Sequence, residues 1–149
     1  MASFTSLTIP DTLLARVIEH AREAVPNECC GLLGGGIADC VALASVCLPI
    51  ANDLADPRCY LTNARDLFDA FRSLRADNLE LLAVYHSHPQ SSPVPSRRDV
   101  EENTYGETAI HLIVGLAGSE PEVRAWWLTE SAFCEAEWKV SRVPKRPHE

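Results

Sequence analysis

Two histidines one residue apart, His86-Ser87-His88, close an apolar run over residues 79–85. In an extended strand residues i and i+2 share a face with Cα atoms ~6.6 to 6.8 Å apart, so both imidazoles aim at one point and Ser87 faces away. Imidazole and carboxylate both suit zinc, whose catalytic sites hold three protein ligands and keep a fourth position for water. Asp99 is the best candidate for the third ligand. After a polar, proline-containing loop over residues 90–95, Ser96 stands where it would cap a short helix, and the first turn of that helix carries Asp99 back over the strand end. The set is two His, one Asp and an open corner.

Water activated at such a corner must lose a proton as it attacks, and a leaving amine must then gain one. A carboxylate beside the metal serves both steps. Glu28 is the candidate: it follows Pro26-Asn27 and opens an apolar segment, Cys29 to Leu33, where a solvated carboxylate has little reason to be. Each part also has an ordinary role, since histidines pack in cores and Ser96-x-x-Asp99 is a capping-box-like helix start. The joint pattern H-x-H, seven residues, S-x-x-D is what points to a metal hydrolase.

The elements around these residues follow from periodicity and from Pro and Gly. A strand is predicted over residues 4–9. Pro10 and Asp11 open a helix with Leu13, Leu14, Val17, Ile18 and Ala21 at helical spacing, and Pro26 stops it. Residues 28–33 read as a strand, with a turn at Gly34-Gly35-Gly36 and a hairpin partner over 41–50. A brief strand is expected at 59–61. Thr62 or Asn63 then caps a second helix with Leu67, Phe68, Phe71 and Leu74 on one face, ending near Asn78. Strands follow at 79–85, 109–116, 123–128 and 133–140, with a short helix over 96–103. In the last strand Cys134, Ala136, Trp138 and Val140 alternate with charged residues, the pattern of a sheet with one wet face. The expected architecture is α/β: one domain over residues 1–140 with a curved mixed sheet between two main helices, and a flexible end at 141–149.

Composition excludes several classes. Thirteen Lys and Arg against 21 Asp and Glu give a formal charge of −8, a field that repels a phosphate backbone, and the one basic cluster is Lys145-Arg146. Nucleic acid is not an expected partner. Apolar runs at 41–51 and 109–118 are far shorter than the ~20 residues of a membrane helix, and no basic segment precedes an apolar start, so the chain is read as cytoplasmic. Six cysteines without a C-x-x-C are read as reduced and mostly buried thiols. Adjacent Cys29 and Cys30 point to opposite faces of a strand, so one at most neighbours the site. Of Trp126 and Trp127, one is expected inside and one outside. His111 reads as a buried, hydrogen-bonded histidine, and His20 and His148 have no chemical context.

Pro26-Asn-Glu28-Cys-Cys-Gly31-Leu-Leu-Gly34, His86-Ser-His88-Pro and Ser96-Arg-Arg-Asp99 together resemble the JAMM (MPN-plus) metalloprotease family over nearly the whole chain. The resemblance implies one Zn2+ held by His86, His88 and Asp99, Glu28 as general acid/base, and Ser96 holding the oxyanion or the water. It implies a three-layer α-β-α fold of the JAMM/MPN, cytidine-deaminase-like kind. The short length, without room for ubiquitin-clamping insertions, is similar to prokaryotic members that act on ubiquitin-like or sulfur-carrier proteins ending in Gly-Gly. The segment over residues 52–60 resembles that subgroup. The implied activity is cleavage of a peptide or isopeptide bond after that Gly-Gly, with the tail extended along a sheet edge. The other reading is a non-catalytic interaction scaffold of the same fold. A homo-oligomer is compatible with either.

Overall fold

A computed structural model describes residues 2–144. In chain order the elements are β1 (Ser6–Pro10), α1 (Asp11–Ala24), β2 (Cys30–Ala38), β3 (Val41–Ile50), α2 (Ala64–Ala76), β4 (Glu80–His88), α3 (Arg97–Glu101), β5 (Ile110–Gly115), β6 (Glu122–Leu128), β7 (Phe133–Glu135) and β8 (Glu137–Ser141). All eight strands join one mixed sheet in the order β7-β6-β5-β4-β2-β3-β1-β8. The pairs β1–β3, β1–β8 and β4–β5 are parallel and the others antiparallel.

Alternation along β2 assigns the helices. Leu33 and the preceding Cys29 pack with Leu13, Val17 and Ala21 of α1, whereas Cys30 and Leu32 pack with Ala70 of α2 and with Val84. The two helices therefore cover opposite faces of this strand, and Cys29 and Cys30 part as strand geometry requires. In α1 the apolar stripe buries as expected. In α2 it is rotated: Ala70 and Leu74 are buried, while Phe68 is 60% exposed and Phe71 37%. Leu67, Ala70 and Leu74 form one i, i+3, i+7 row, and Phe68 and Phe71 fall beside it.

The triple glycine is strand rather than turn. The hairpin reverses at Asp39 and Cys40, both at positive φ (51° and 64°), as a two-residue turn between twisted strands demands. The pairing shifts register between Gly34 and Gly35, and a Cβ on Gly35 would lie 2.0 Å from the Leu43 carbonyl oxygen. Gly35 admits the neighbouring backbone at this bulge, and Gly34 leaves room for the Leu74 side chain.

The run over 133–140 is two strands. Ala136 is buried, its N–H donates to Ala125 O at 2.9 Å, and the chain leaves β6 for β1 at that point. Since β7 and β8 lie at opposite ends of the strand order with one residue between them, the sheet curls until its ends nearly meet. The expected wet-and-dry alternation is lost at this corner: Cys134 and Val140 are exposed and Trp138 is half-buried. Residues 59–61 form no strand; an isolated bridge joins Asn52 and Thr62. Trp126 is buried and Trp127 is half-buried against Phe4, at 5.5 Å between ring centroids, rather than outside.

The six cysteines are free thiols, with Cys40 and Cys134 exposed. Of the expected flexible end, Ser141 lies in β8 and the Val143 N–H donates to Asp11. Residues 145–149, with Lys145, Arg146 and His148, lie outside the described residues. Among the described residues no helix is long and apolar enough to cross a membrane.

Because the obstacle at Gly35 is backbone, it cannot rotate away. Gly35→Ala is expected to lower stability by about 2 kcal/mol in urea unfolding; an unchanged midpoint would show that the bulge absorbs a methyl group.

Candidate metal centre

β4 lies inside the sheet with β2 on one side and β5 on the other, and His86 and His88 occupy its last turn of alternation. Both are buried, 1% and 6% exposed. Ser87 points to the opposite face, where its hydroxyl accepts from the Cys29 N–H at 2.8 Å. After residues 89–95, Ser96 caps α3 in a reciprocal box: Ser96 Oγ accepts from Asp99 N at 3.0 Å and Asp99 Oδ2 accepts from Ser96 N at 2.8 Å. That box aims the Asp99 carboxylate at the histidines.

The three donor atoms form a nearly equilateral triangle. His86 Nε2 and His88 Nε2 are 3.2 Å apart, His86 Nε2 and Asp99 Oδ2 3.2 Å, and His88 Nε2 and Asp99 Oδ2 3.1 Å. A tetrahedral ion with ~2.0 Å bonds to N and O needs ligand atoms ~3.3 Å apart. The residues present fit such an ion, and this trio is the metal-capable cluster among the described residues. Hydrogen bonds from the two histidines outweigh the burial that would raise it and hold the Asp99 carboxyl well below the usual carboxylate range. Burial pulls the His88 imidazole down, but hydrogen bonds to Asp99 and to the Ser92 carbonyl carry it above its ordinary value. The second contact, from Nδ1 at 2.9 Å, leaves Nε2 free to ligate.

Glu28 lies two residues before Cys30, which pairs with His86, so it falls across from His88 on the same sheet face. It is 3% exposed, and its Oε1 has no hydrogen-bond partner among the described residues. Burial pushes its carboxyl up to about 8; nearby His88 opposes the shift and Asp99 adds to it. Its backbone is pinned from outside the sheet: Glu28 N donates to Asp56 O at 3.1 Å, and Asn52 Nδ2 donates to Glu28 O at 3.0 Å. Asn52 Oδ1 in turn accepts from Leu54 N and Leu61 N, both at 2.9 Å. Residues 52–60 stand out in the sequence only through the family resemblance. Asn52 itself was missed, although an Asn at a strand end that bonds its own i+2 N–H is an Asx turn with a local signal.

A cavity of about 650 Å³ opens from His86 and Asp99, between residues 54–62 and residues 102–105. Its walls are mostly apolar, with Leu32, Leu54, Leu67 and Val84, and the Tyr60 ring stacks 4.9 Å from the His86 ring. Cys30 lines it and Cys29 does not. β7 and β8, the edges of the sheet, are separated from β4 by other strands, so no sheet edge adjoins the trio. His111 also lines the cavity, buried as expected, but its Nε2 makes no hydrogen bond among the described residues. Burial, then the charge of His86, lowers its imidazole to about 4. His20 does have a context: its Nδ1 meets the Tyr85 hydroxyl at 2.7 Å beneath the sheet.

Residues 10–129 match the family model described as prokaryotic homologs of the JAB domain. The chain belongs to this family. The kinship read from its motifs is therefore shown. A probable TtuB-protein conjugate cleaving protease of Thermus thermophilus is 32% identical over 125 residues, 83% of this chain and 77% of that one. A CysO-cysteine peptidase of Mycobacterium tuberculosis is 25% identical over 129 residues, 87% of each. A solution structure of a Desulfitobacterium hafniense protein superposes with a TM-score of 0.84 at 25% identity, covering 96% of this chain and 98% of that one. The JAB-family assignment implies a metal, and the His86, His88 and Asp99 trio is where this chain could hold it.

Glu28 ionises near 4.5 when unfolded and near 8 in the folded, metal-free protein, so between those values the folded state binds the extra proton. Its contribution to stability is present below pH 4.5 and is lost as pH rises through 8. Metal-free Glu28→Gln is expected to match the wild type near pH 4.5 and to exceed it by up to about 4 kcal/mol above pH 8, read from urea midpoints. Parallel pH curves would refute the burial penalty.

Proposed function

We propose that this JAB-family chain is a zinc-dependent peptidase that cleaves a peptide or isopeptide bond after the C-terminal Gly-Gly of a ubiquitin-like or sulfur-carrier protein. The observation that carries the reading is the 3.1–3.2 Å triangle of donor atoms with a buried, unpartnered carboxylate oxygen on the same face. Relatives named for cleaving TtuB-protein conjugates and for CysO-cysteine support the substrate class.

His86, His88 and Asp99 would hold the ion. Bound there, zinc supplies Lewis acidity to a water and to the scissile carbonyl. Glu28 removes the proton from the attacking water at Oε1, the oxygen that no donor among the described residues occupies. The proton it takes up is returned to the departing amine nitrogen as the C–N bond breaks. The Ser96 hydroxyl accepts from Asp99 N in the cap and keeps its own hydrogen to donate toward developing oxyanion charge. The substrate tail enters through the cavity between residues 54–62 and 102–105, because no sheet edge reaches the trio. The Tyr60 ring packed 4.9 Å from the His86 ring crowds the wall beside the donor atoms, which favours residues without side chains there.

The test is to incubate zinc-loaded protein with Gly-Gly carriers bearing C-terminal extensions and to follow products by mass spectrometry. Cleavage after the second Gly, lost on chelation, is expected. Glu28→Gln should retain zinc and lose at least ~1000-fold in turnover. A fully active Glu28→Gln removes the general base, and a metal-free protein that cuts nothing and keeps its fold supports the scaffold reading instead.

A further inference from the structure

Three buried side-chain atoms lack hydrogen-bond partners among the described residues: Glu28 Oε1, His86 Nδ1 and His111 Nε2. Leaving a buried polar atom unpaired costs its lost hydration, so each calls for an account. The proton chemistry proposed above accounts for Glu28. The other two are ring nitrogens in one cavity.

His86 presents Nε2 to Asp99 and His88, so a ligating His86 carries its proton on Nδ1 and that atom must donate. His88 shows how the need is met, through Ser92 O at 2.9 Å. No carbonyl, carboxylate or hydroxyl of the described residues does the same for His86. His111 stands on the neighbouring parallel strand. It pairs with Val84, two residues before His86, so all three side chains share a face. A neutral His111 with its proton on Nδ1 offers an Nε2 lone pair, the acceptor that His86 lacks. The two nitrogens do not hydrogen-bond each other directly, both are buried, and their residues line one cavity.

We infer that His86 Nδ1–H donates, through one buried water, to His111 Nε2, which makes His111 the positioning residue of the first metal ligand. One water between two nitrogens satisfies both and has the minimum of two polar partners. The bridge fixes the His86 tautomer and ring plane, as Ser92 O does for His88. The inference rests on the zinc reading of the trio.

The experiment is zinc affinity by chelator competition for wild type, His111→Leu and His111→Gln, alongside melting of the metal-free proteins. His111→Leu is expected to bind zinc ~10- to 100-fold more weakly while its metal-free melting temperature is unchanged or higher. His111→Gln, which keeps an acceptor at similar reach, should stay within ~3-fold of wild type. A merely structural role would instead lower both metal-free melting temperatures. On the zinc-loaded wild type, ¹⁵N NMR should show His111 Nε2 unprotonated and His86 Nδ1 protonated, a readout that needs no variant to fold. Undiminished affinity in His111→Leu, or a proton on His111 Nε2, overturns the bridge and leaves the zinc reading intact. A wild-type chain that binds no zinc overturns both.

Discussion

Two imidazole nitrogens and a carboxylate oxygen are held within 3.2 Å of one another in a buried pocket. Electron-rich atoms at that separation repel unless positive charge lies among them, so the fold must force the convergence. It does so from two directions. β4 is clamped by hydrogen-bonded neighbours on both sides, and the Leu116 N–H holds His88 O at 3.0 Å at the strand's very end. From the other direction, Asp99 Oδ2 spends one lone pair on the Ser96 N–H that starts α3 and points the other at the histidines. A single oxygen thus ties the helix start to the metal corner. The box that reads most easily as a plain helix cap is the reason the Asp99 carboxylate meets the two histidines.

Glu28 shows the same economy with a different cost. Its carboxylate gains nothing from burial, and its uncompensated oxygen works against folding at neutral and alkaline pH. The segment over residues 52–62 holds it there through its backbone: Asn52 and Asp56 grip the Glu28 peptide groups and leave Oε1 without a donor among the described residues. A carboxylate gripped by hydrogen bonds would be a weaker base. The arrangement keeps the position fixed and leaves Oε1 open on the sheet face that carries the two histidines.

Much of this was legible in the residues. His86, Ser87 and His88 obey strand parity, Ser96 and Asp99 obey capping chemistry, and the helices and most strands follow local periodicity and punctuation. What escaped depended on contacts distant in sequence. The alternation over 133–140 does read as one strand; nothing local says that Ala136 closes the curled sheet by bonding Ala125. Three glycines read as a turn because the use of Gly35, admitting the Leu43 backbone at a bulge, is visible only once β3 is alongside. Phe68 and Phe71 read as core because helix periodicity fixes a stripe only to within one side chain, and the sheet chose the Leu67, Ala70 and Leu74 row. His111 was legible as buried and illegible as unpaired, since the partner it lacks is a matter of what surrounds it.

The position of the site follows from one topological fact. β4 and β5 are neighbours and parallel, and a parallel pair cannot be joined by a hairpin: the chain must leave the end of β4 and travel back outside the sheet before β5 begins. Residues 89–109 make that journey, and α3 lies on it. A crossover that starts where the two histidines end has to pass over them, so any acidic residue in its first helical turn is delivered to the same point. The sideways excursion also parts the chain from the sheet at the carboxyl ends of these strands, where crevices in α/β sheets form. Antiparallel pairing of β4 and β5 would have needed only a short turn, with neither Asp99 nor the cavity. The place of Asp99 beside the histidines and the cavity next to it are thus two consequences of the same strand direction.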